Sequence, residues 1–337
     1  MDKLIIAPGT DPDQYYATGL GLHSPFITLC RGKKRYLAAG GFEYPQAVAR
    51  FPTMKFEDLG KTRKEVIAAF CKKHKIKAPV MPASTKAASY VHVKAAKLVE
   101  TLFPERAIKN ANEQRAIRDA TRAAEAAIAA VRDALKDARV VKGKANVTSE
   151  QLKKIAAVEL ARSDCSCPDM IISSGTQTAL PHHTGSGAIH EGAVVVDIFP
   201  QSHETRYHGD VTRTYVIGEA PKTFDERYAT VLAAHTTART AAKAGAKNID
   251  KKARDVFEQR DLKTDWKVGT GFIHSLGHGV GLDIHEEPRL SGTLKAGNVI
   301  TIEPGYYHGY GIRIEDIGLV TKTDFQSFSK LPRTPYL

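Results

Sequence analysis

The sequence has few of the residues that would indicate a disulfide-stabilised or membrane-embedded protein. Its 337 residues include 4 cysteines and 1 tryptophan, and no apolar run approaches the roughly 20 residues of a membrane-spanning helix. Four cysteines are too few for a disulfide framework in such a chain, so we expect reduced, structural thiols. Cys165 and Cys167 could form half of a metal site, but no second pair accompanies them. The first apolar stretch is too short for a secretory signal, and we expect a cytoplasmic protein without membrane contact.

Two further absences narrow the possible functions. No glycine pattern typical of a dinucleotide or phosphate loop opens a helix, which argues against a nucleotide-binding enzyme. The net charge is +12, and residues 1–105 hold 17 Lys and Arg against 9 Asp and Glu. A basic segment can bind nucleic acid, but this one contains no nucleic-acid-binding motif. We therefore interpret these lysines as a solvated surface and do not expect a nucleic-acid partner.

The chain divides into two parts by composition. In residues 1–107, the strand-like segments KLIIA, FITLC and RYLAAG alternate with turns and with a helical segment at 61–76, which predicts a small α/β domain. Residues 112–138 are rich in alanine and nearly free of Gly and Pro, which indicates a long helix. We place the boundary at 107/108 and expect an α+β domain of helices and strands over residues 108–337.

Four strand-like segments of the second domain each carry an acidic residue where a buried strand is expected to be apolar. The segments are EGAVVVDIF, DVTRTYVIG, GNVITIEPG and GIRIEDIGLVT, and their acids are Asp197, Asp210, Glu303 and Glu315. A buried carboxylate must be paired or bound to a cation, because isolated burial costs several kcal/mol or more. Arg213 and Arg313 could pair with some of these acids. Four in one domain, however, favour a common cation.

The stretch IHSLGHGVGLDIHEEP adds a histidine to this set. His278 stands between two glycines, and we expect glycines 277, 279 and 281 to leave room for backbone to approach an ion. Four carboxylates with one imidazole carry too much negative charge for one divalent ion, but suit two ions with bridging carboxylates. Mainly oxygen ligands favour Mn, Co, Fe or Zn in a catalytic site over a structural zinc.

The order of these motifs resembles that of the pita-bread metallopeptidases, the clan of methionine aminopeptidase, prolidase and aminopeptidase P. VVVDIF, GDVTRT, GHGVGLDIHEEP, TIEPG and GIRIED match the clan's five ligand motifs in sequence order. DPDQYYATGL and the FITL–RYL hairpin are similar to the smaller amino-terminal domain of the prolidase and aminopeptidase P branch, which methionine aminopeptidases lack. The resemblance covers nearly the whole chain, and it implies a pita-bread catalytic domain after a creatinase/prolidase-type amino-terminal domain. It also implies a homodimer.

The resemblance implies a role for each ligand. Asp197 is expected to chelate one ion, Asp210 and Glu315 to bridge both, and His278 and Glu303 to bind the other. Two divalent ions (Mn, Co or Zn, with Mn favoured) would then hold a bridging hydroxide as the nucleophile, and Glu303 would accept its proton.

Further residues are implied to contact the substrate. In ALPHHTG, His182 matches a family histidine that stabilises the tetrahedral intermediate. The neighbouring His183 is the weaker candidate for this role. His285 matches the second catalytic histidine, and Arg313 is counted with the substrate-binding residues. Arg289 stands where prolidase-like members place an arginine near the carboxylate of a dipeptide. A guanidinium suits a carboxylate, but Arg289 could equally belong to a structural ion pair.

The expected function is therefore metal-dependent hydrolysis of the peptide bond before proline, with Xaa-Pro dipeptides as substrates. The alternatives are an aminopeptidase P that acts on longer Xaa-Pro peptides, a methionine aminopeptidase, and a non-catalytic binding module of the same fold. One departure from the family pattern is a slightly longer connector between Asp197 and Asp210. We expect its histidines, His203 and His208, to lie on the surface, and the alternative is that the longer connector places one of them near the rim of the active-site pocket.

Overall fold

The computed structural model describes all residues, 1–337. The chain separates into two compact units, Met1–Glu105 and Arg106–Leu337. None of the helices is both long and apolar enough to cross a membrane. The assignment of residues 1–107 to a prolidase-type amino-terminal domain and of residues 108–337 to a catalytic domain stays a prediction.

The first unit is a six-stranded sheet with short helices. Its strand order is β4-β3-β2-β1-β5-β6, and β2 alone runs antiparallel to the others. Its strands are β1 (Lys3–Ala7), β2 (Phe26–Arg31), β3 (Lys34–Ala39), β4 (Thr53–Lys55), β5 (Val80–Pro82) and β6 (Lys97–Val99). Its helices are α1 (Pro12–Thr18), α2 (Tyr44–Val48), α3 (Arg63–Lys73) and α4 (Ala87–Tyr90). These elements confirm the strands and the main helix predicted for this region.

The second unit contains four helices and thirteen strands. Its helices are α5 (Ala111–Lys136), α6 (Ser149–Arg162), α7 (Phe224–Ala241) and α8 (Ile249–Gln259). Its strands are β7 (Val140–Val141), β8 (Lys144–Thr148), β9 (Cys165–Ser166), β10 (Ile171–Ser174), β11 (Ala188–His190), β12 (Gly192–Ile198), β13 (Gln201–Ser202), β14 (Val211–Ile217), β15 (Val299–Ile302), β16 (Gly305–His308), β17 (Tyr310–Arg313), β18 (Asp316–Val320) and β19 (Phe325–Ser327). Helix α8 was not expected from the sequence.

Helix α5 shows why the alanine-rich segment forms a scaffold. Asn110 begins the helix with a capping box completed by Glu113, which satisfies amide groups that the first turn leaves unpaired. Its small residues Ala120, Ala124 and Ala127 are buried, and the helix contacts β12 and β14. Small side chains allow this close approach, so α5 supports the strands that carry the candidate ligands.

The acidic residues lie at strand ends more often than the sequence predicted. Asp197 lies within β12, but Asp210 precedes β14 and Glu303 follows β15. The segment expected as one strand, GIRIEDIGLVT, divides into β17 and β18, and Glu315 lies in the break between them. A carboxylate at a strand end can turn toward a common point without interrupting the hydrogen bonds of the sheet.

A candidate metal centre

The predicted ligands come together in the second unit. Oxygen or nitrogen atoms of Asp210, His278 and Glu315 all lie within 4.8 Å of one another. Nε2 of His278 is 3.6 Å from Oδ2 of Asp210 and 3.2 Å from Oε1 of Glu303. Asp197 lies in β12 directly opposite Thr212, at the start of β14. The structure thus assembles a set of four carboxylates and one imidazole.

The turn that carries His278 is fixed by its own backbone and by two glycines. The Thr301 amide donates to the His278 carbonyl oxygen over 2.9 Å. A Cβ on Gly277 would come within 2.3 Å of the Thr301 carbonyl oxygen, and one on Gly279 would come within 2.3 Å of that of Glu287. These two glycines therefore admit neighbouring backbone, and the expected approach of this backbone to an ion stays a prediction.

The four carboxyl groups lie close enough for their negative charges to repel one another. Burial, together with the charges of neighbouring carboxylates, raises the pKa of Asp197, Asp210 and Glu315. Burial would also raise the pKa of Glu303, but the hydrogen bond and charge of His278 lower it to about 2. Such a cluster needs added positive charge to remain ionised, and oxygen-rich ligands suit hard or borderline divalent cations.

One oxygen of a candidate ligand, Asp197, has no hydrogen-bond partner within the protein. Oδ2 of Asp197 accepts a hydrogen bond from Nη2 of Arg313 over 2.6 Å, but its Oδ1 is buried without a hydrogen bond. A buried polar atom without a partner is costly. The residues present therefore fit divalent metal ions, and Oδ1 of Asp197 is free to coordinate one of them.

Hydroxyl groups orient two of the other carboxylates. Thr212 donates through Oγ1 to Oε2 of Glu315 over 2.7 Å, and Thr301 donates through Oγ1 to Oε1 of Glu303 over 3.2 Å. Outer partners of this kind fix the direction of ligand oxygens.

Arg213 and Arg313, the two arginines considered as ion-pair partners, pair with different acids. Arg213, fully buried, pairs with Asp316 over 2.8 Å and also donates to the Glu315 carbonyl oxygen over 2.6 Å. Arg313 pairs with Asp197. A local ion pair therefore accounts for one of the four predicted acids, and the other three have no arginine partner.

Sequence reasoning missed a chain of hydrogen bonds behind this cluster. His274 Nε2 lies 3.0 Å from Oη of Tyr307, and Arg313 donates through Nη1 to the same oxygen over 2.8 Å. Burial lowers the pKa of His274. The signal was the first histidine of IHSLGHGVGLDIHEEP, which lies four residues before His278.

The predicted substrate-contacting histidines lie in two different environments. The His285 ring stands edge-to-face on the His278 ring at 4.2 Å between centroids. Burial and the nearby charge of His278 lower the pKa of His285, and His182 also acts on it electrostatically. His182 is exposed, whereas Nδ1 of His183 accepts a hydrogen bond from the Gly185 amide over 3.0 Å. His183 therefore stabilises its own loop, and His182 remains available to a ligand.

The two arginines predicted to bind substrate, Arg289 and Arg313, differ strongly in burial and in their contacts. The Arg289 side chain is 86% exposed, and its nearest acidic partner is Glu287, at 3.8 Å. The Arg313 guanidinium is buried and hydrogen-bonded to Asp197, Tyr307, Thr212 and the Pro181 carbonyl oxygen. The structure does not bring Arg289 into the cluster, and it gives Arg313 protein partners at all three nitrogens. Their substrate-binding roles stay predictions.

The long connector contacts the histidine-rich turn. The His208 amide donates to the Gly281 carbonyl oxygen over 2.9 Å. Burial lowers the pKa of His208 to about 4, and its Nδ1 is buried without a partner. The expected surface position is therefore wrong for His208, but it holds for the exposed His203.

An ion network holds the loop next to His285. Glu286 accepts hydrogen bonds from Lys109 and from Arg106, the latter over 2.5 Å. Lys109 is 3% exposed, and burial lowers its pKa although Glu286 acts in the opposite direction. Arg106 also pairs with Asp283 over 2.9 Å. No sequence pattern had indicated this network.

Comparison with known proteins identifies the family of this chain. The model of metallopeptidase family M24 matches residues 115–322. The chain belongs to metallopeptidase family M24. It is therefore an enzyme of a family that uses divalent metal ions, and the predicted pita-bread fold and family resemblance are confirmed.

Relatives of this M24 chain match it over different lengths. A Xaa-Pro dipeptidase from Pyrococcus horikoshii is 31% identical over 345 aligned positions, covering 99% of this chain and 94% of the relative. The Xaa-Pro dipeptidase from Pyrococcus furiosus is 42% identical over 173 positions, about half of each chain (49% and 48%). The crystal structure of the prolidase from P. horikoshii OT3 superposes with a TM-score of 0.83 at 30% identity, covering 99% of this chain and 95% of that one.

Proposed function

We propose that this M24 enzyme hydrolyses the peptide bond before proline in Xaa-Pro dipeptides, with two divalent metal ions as cofactors. The observation that carries the proposal is the assembly of Asp197, Asp210, His278, Glu303 and Glu315 in a chain that matches a Xaa-Pro dipeptidase over nearly its full length. Four carboxylates supply enough negative charge for two ions. We favour Mn over Co or Zn because most donors are oxygen atoms.

The residues would share the ions as the family resemblance implies. Asp197 would hold one ion, Asp210 and Glu315 would contact both, and His278 with Glu303 would hold the other. The unpartnered Oδ1 of Asp197 supports its assignment as a ligand. When bound, the ions would lower the pKa of a water molecule and polarise the substrate carbonyl, so that water can attack at neutral pH.

The side chains of this protein would handle the protons and the developing charge. Glu303 would accept the proton of the attacking water, as the family resemblance implies, and its carboxylate lies 3.2 Å from Nε2 of His278, beside the proposed ions. His285 and His182 would stabilise the negative oxygen that forms on the substrate, and one of them would protonate the leaving proline nitrogen. Positioned acid-base groups of this kind contribute about 10²–10⁴-fold to rate.

An aminopeptidase P activity on longer Xaa-Pro peptides is the second candidate. It is favoured by the exposure of Arg289, since a cation that is 86% exposed does not form a buried recognition site for a dipeptide carboxylate. Retention of all five candidate ligands argues against a non-catalytic binding module, and an amino-terminal unit of 105 residues argues against an ordinary methionine aminopeptidase.

A substrate panel tests the proposal. Ala-Pro, Ala-Pro-Ala, Met-Ala and Ala-Ala would each be incubated with protein loaded with Mn, Co or Zn. The proposal requires the highest kcat/KM on Ala-Pro and little cleavage of Ala-Ala. Faster cleavage of Ala-Pro-Ala would favour aminopeptidase P, and preferential cleavage of Met-Ala would contradict specificity for proline.

A further inference from the structure

The first unit contains a cavity that the metal chemistry does not use. Its volume is about 1060 Å³, which is enough for a ligand of several hundred daltons, because small-molecule pockets span about 300–1,000 Å³. It lies where β1, β3, β4 and β5 end, and residues that follow these strands line it, among them Pro8, Gly40, Phe56 and Ser84. These four strands run in the same direction. The carboxyl edge of such strands is the usual ligand position in α/β sheets.

The deep wall of the cavity is apolar. Ile6, Ile27, Phe56, Val66 and Ile67 line it, and Ile27 and Ile67 are buried in the core of the unit. An apolar wall of this kind suits a hydrocarbon or aromatic body.

One serine of the lining can contact a ligand. Ser89 lines the cavity although the residue as a whole is 3% exposed. A serine hydroxyl can both donate and accept a hydrogen bond, so Ser89 can bind a polar atom of a ligand.

The charges around the opening favour an anion. Lys61, Arg63 and Lys86 line the cavity, are exposed and form no ion pair. The same lining contains three acids, Asp11, Glu43 and Glu57, and their carboxylates accept hydrogen bonds from the backbone amides of Gln14, Ser24 and Gly41 over 2.9, 2.9 and 3.1 Å. The three basic side chains have no ion-pair partner, so they are the charged groups that remain to bind a ligand.

We propose that this cavity of the amino-terminal unit is a second binding site, for a small organic anion with an apolar or aromatic body. The anionic group would lie among Lys61, Arg63 and Lys86, a polar atom would reach Ser89, and the apolar body would contact the wall. This site is independent of the proposed peptidase function, because every residue in it belongs to the first unit.

Two fluorescent probes test the site in the full-length protein. 8-Anilinonaphthalene-1-sulfonate has an aromatic body with an anionic group, and N-phenyl-1-naphthylamine has a similar body without the charge. We expect saturable binding of the sulfonate at one molecule per chain. In the K61Q/R63Q/K86Q variant its affinity should fall about tenfold or more, whereas affinity for the neutral probe should change little.

Matched variants distinguish this cavity from other apolar surfaces. The K72Q/K73Q/K77Q variant removes three exposed lysines of the same unit that do not line the cavity, and it should bind the sulfonate like the wild type. Thr85→Trp places an indole at the half-buried opening and should abolish binding of both probes. Isoleucine methyl NMR should show shifts at Ile6, Ile27 and Ile67 when the sulfonate binds, which locates the probe in the folded wild type.

The proposal would be overturned by any of three results. The first is the absence of saturable sulfonate binding to the wild type. The second is an equal loss of affinity in K61Q/R63Q/K86Q and K72Q/K73Q/K77Q. The third is a set of methyl shifts confined to isoleucines outside the cavity. The result for Thr85→Trp counts only when its circular dichroism and Tm match those of the wild type. If they do not match, the methyl NMR measurement on the wild type tests the location of the probe.

Discussion

Arg313 donates a hydrogen bond through Nη2 to Oδ2 of Asp197 over 2.6 Å, while Oδ1 of the same carboxylate is buried and unpartnered. The guanidinium thus occupies one oxygen and leaves the other for an ion. Arg313 itself is fixed by Oη of Tyr307 at 2.8 Å. This arrangement supports a positioning role for Arg313 at the candidate metal centre, as an alternative or an addition to the substrate contact that the resemblance implied.

Replacement of Arg313 separates these two roles. Arg313→Met should lower metal affinity and kcat by about 10–100-fold, the usual effect of losing an outer partner of a metal ligand. Tyr307→Phe, which removes one contact of the guanidinium, should have a smaller effect in the same direction. The measurements are metal content by elemental analysis and steady-state kinetics on Ala-Pro. A raised KM with unchanged metal content would assign Arg313 to substrate binding.

His182 and His183 provide an internal comparison. His182→Ala should lower kcat by about 10²–10⁴-fold, because an exposed imidazole close enough to influence His285 can contact the reacting group. His183→Ala should mainly lower Tm, since its ring holds the Gly185 amide. Metal content should stay near that of the wild type in both. The reverse order of the two kinetic effects would show that the alignment of ALPHHTG is off by one residue.

Arg289 distinguishes a dipeptidase from an aminopeptidase. An exposed ion pair contributes about 1 kcal/mol or less, so Arg289→Ala should lower kcat/KM for Ala-Pro by about fivefold and leave Ala-Pro-Ala unchanged. A loss above about 30-fold would mean that bound substrate buries the pair. Equal losses on both peptides, measured beside the change in Tm, would assign Arg289 to the scaffold.

The buried network at Glu286 should be sensitive to loss of a single partner. Lys109→Met leaves Glu286 with Arg106 alone and should lower the free energy of unfolding by about 3–5 kcal/mol. The double variant K109M/E286Q removes both charges and should recover much of that loss. Urea unfolding of the two variants measures the difference. Additive losses in the double variant would contradict coupling between the two side chains.

The sequence was sufficient for elements whose pattern is local. Helix α5 could be predicted because its alanine-rich face and its Asn110–Glu113 capping box lie within one segment. The strands that contain or adjoin Asp197 and Asp210 could be predicted from their β-branched residues. The five candidate ligands were found together because carboxylates are rare in such apolar segments.

Relationships across the chain could not be predicted from local pattern. Lys109 and Glu286 are 177 positions apart, and Arg213 and Asp316 are 103 apart. The break between β17 and β18 was missed because the isoleucines around Glu315 continue the strand pattern. The partial burial of His208 could not be predicted, because it depends on contact with the turn at Gly281, 73 positions along the chain.

Metal stoichiometry together with peptidase activity tests the central claim most directly. Protein stripped with a chelator would be verified as metal-free by elemental analysis, titrated with Mn, and assayed on Ala-Pro at each step. The account predicts no activity without metal, full recovery at two ions per chain, and loss of both ions in Asp210→Ala and Glu315→Ala. Full peptidase activity in metal-free protein would contradict it, and saturation at one ion per chain would contradict the binuclear centre.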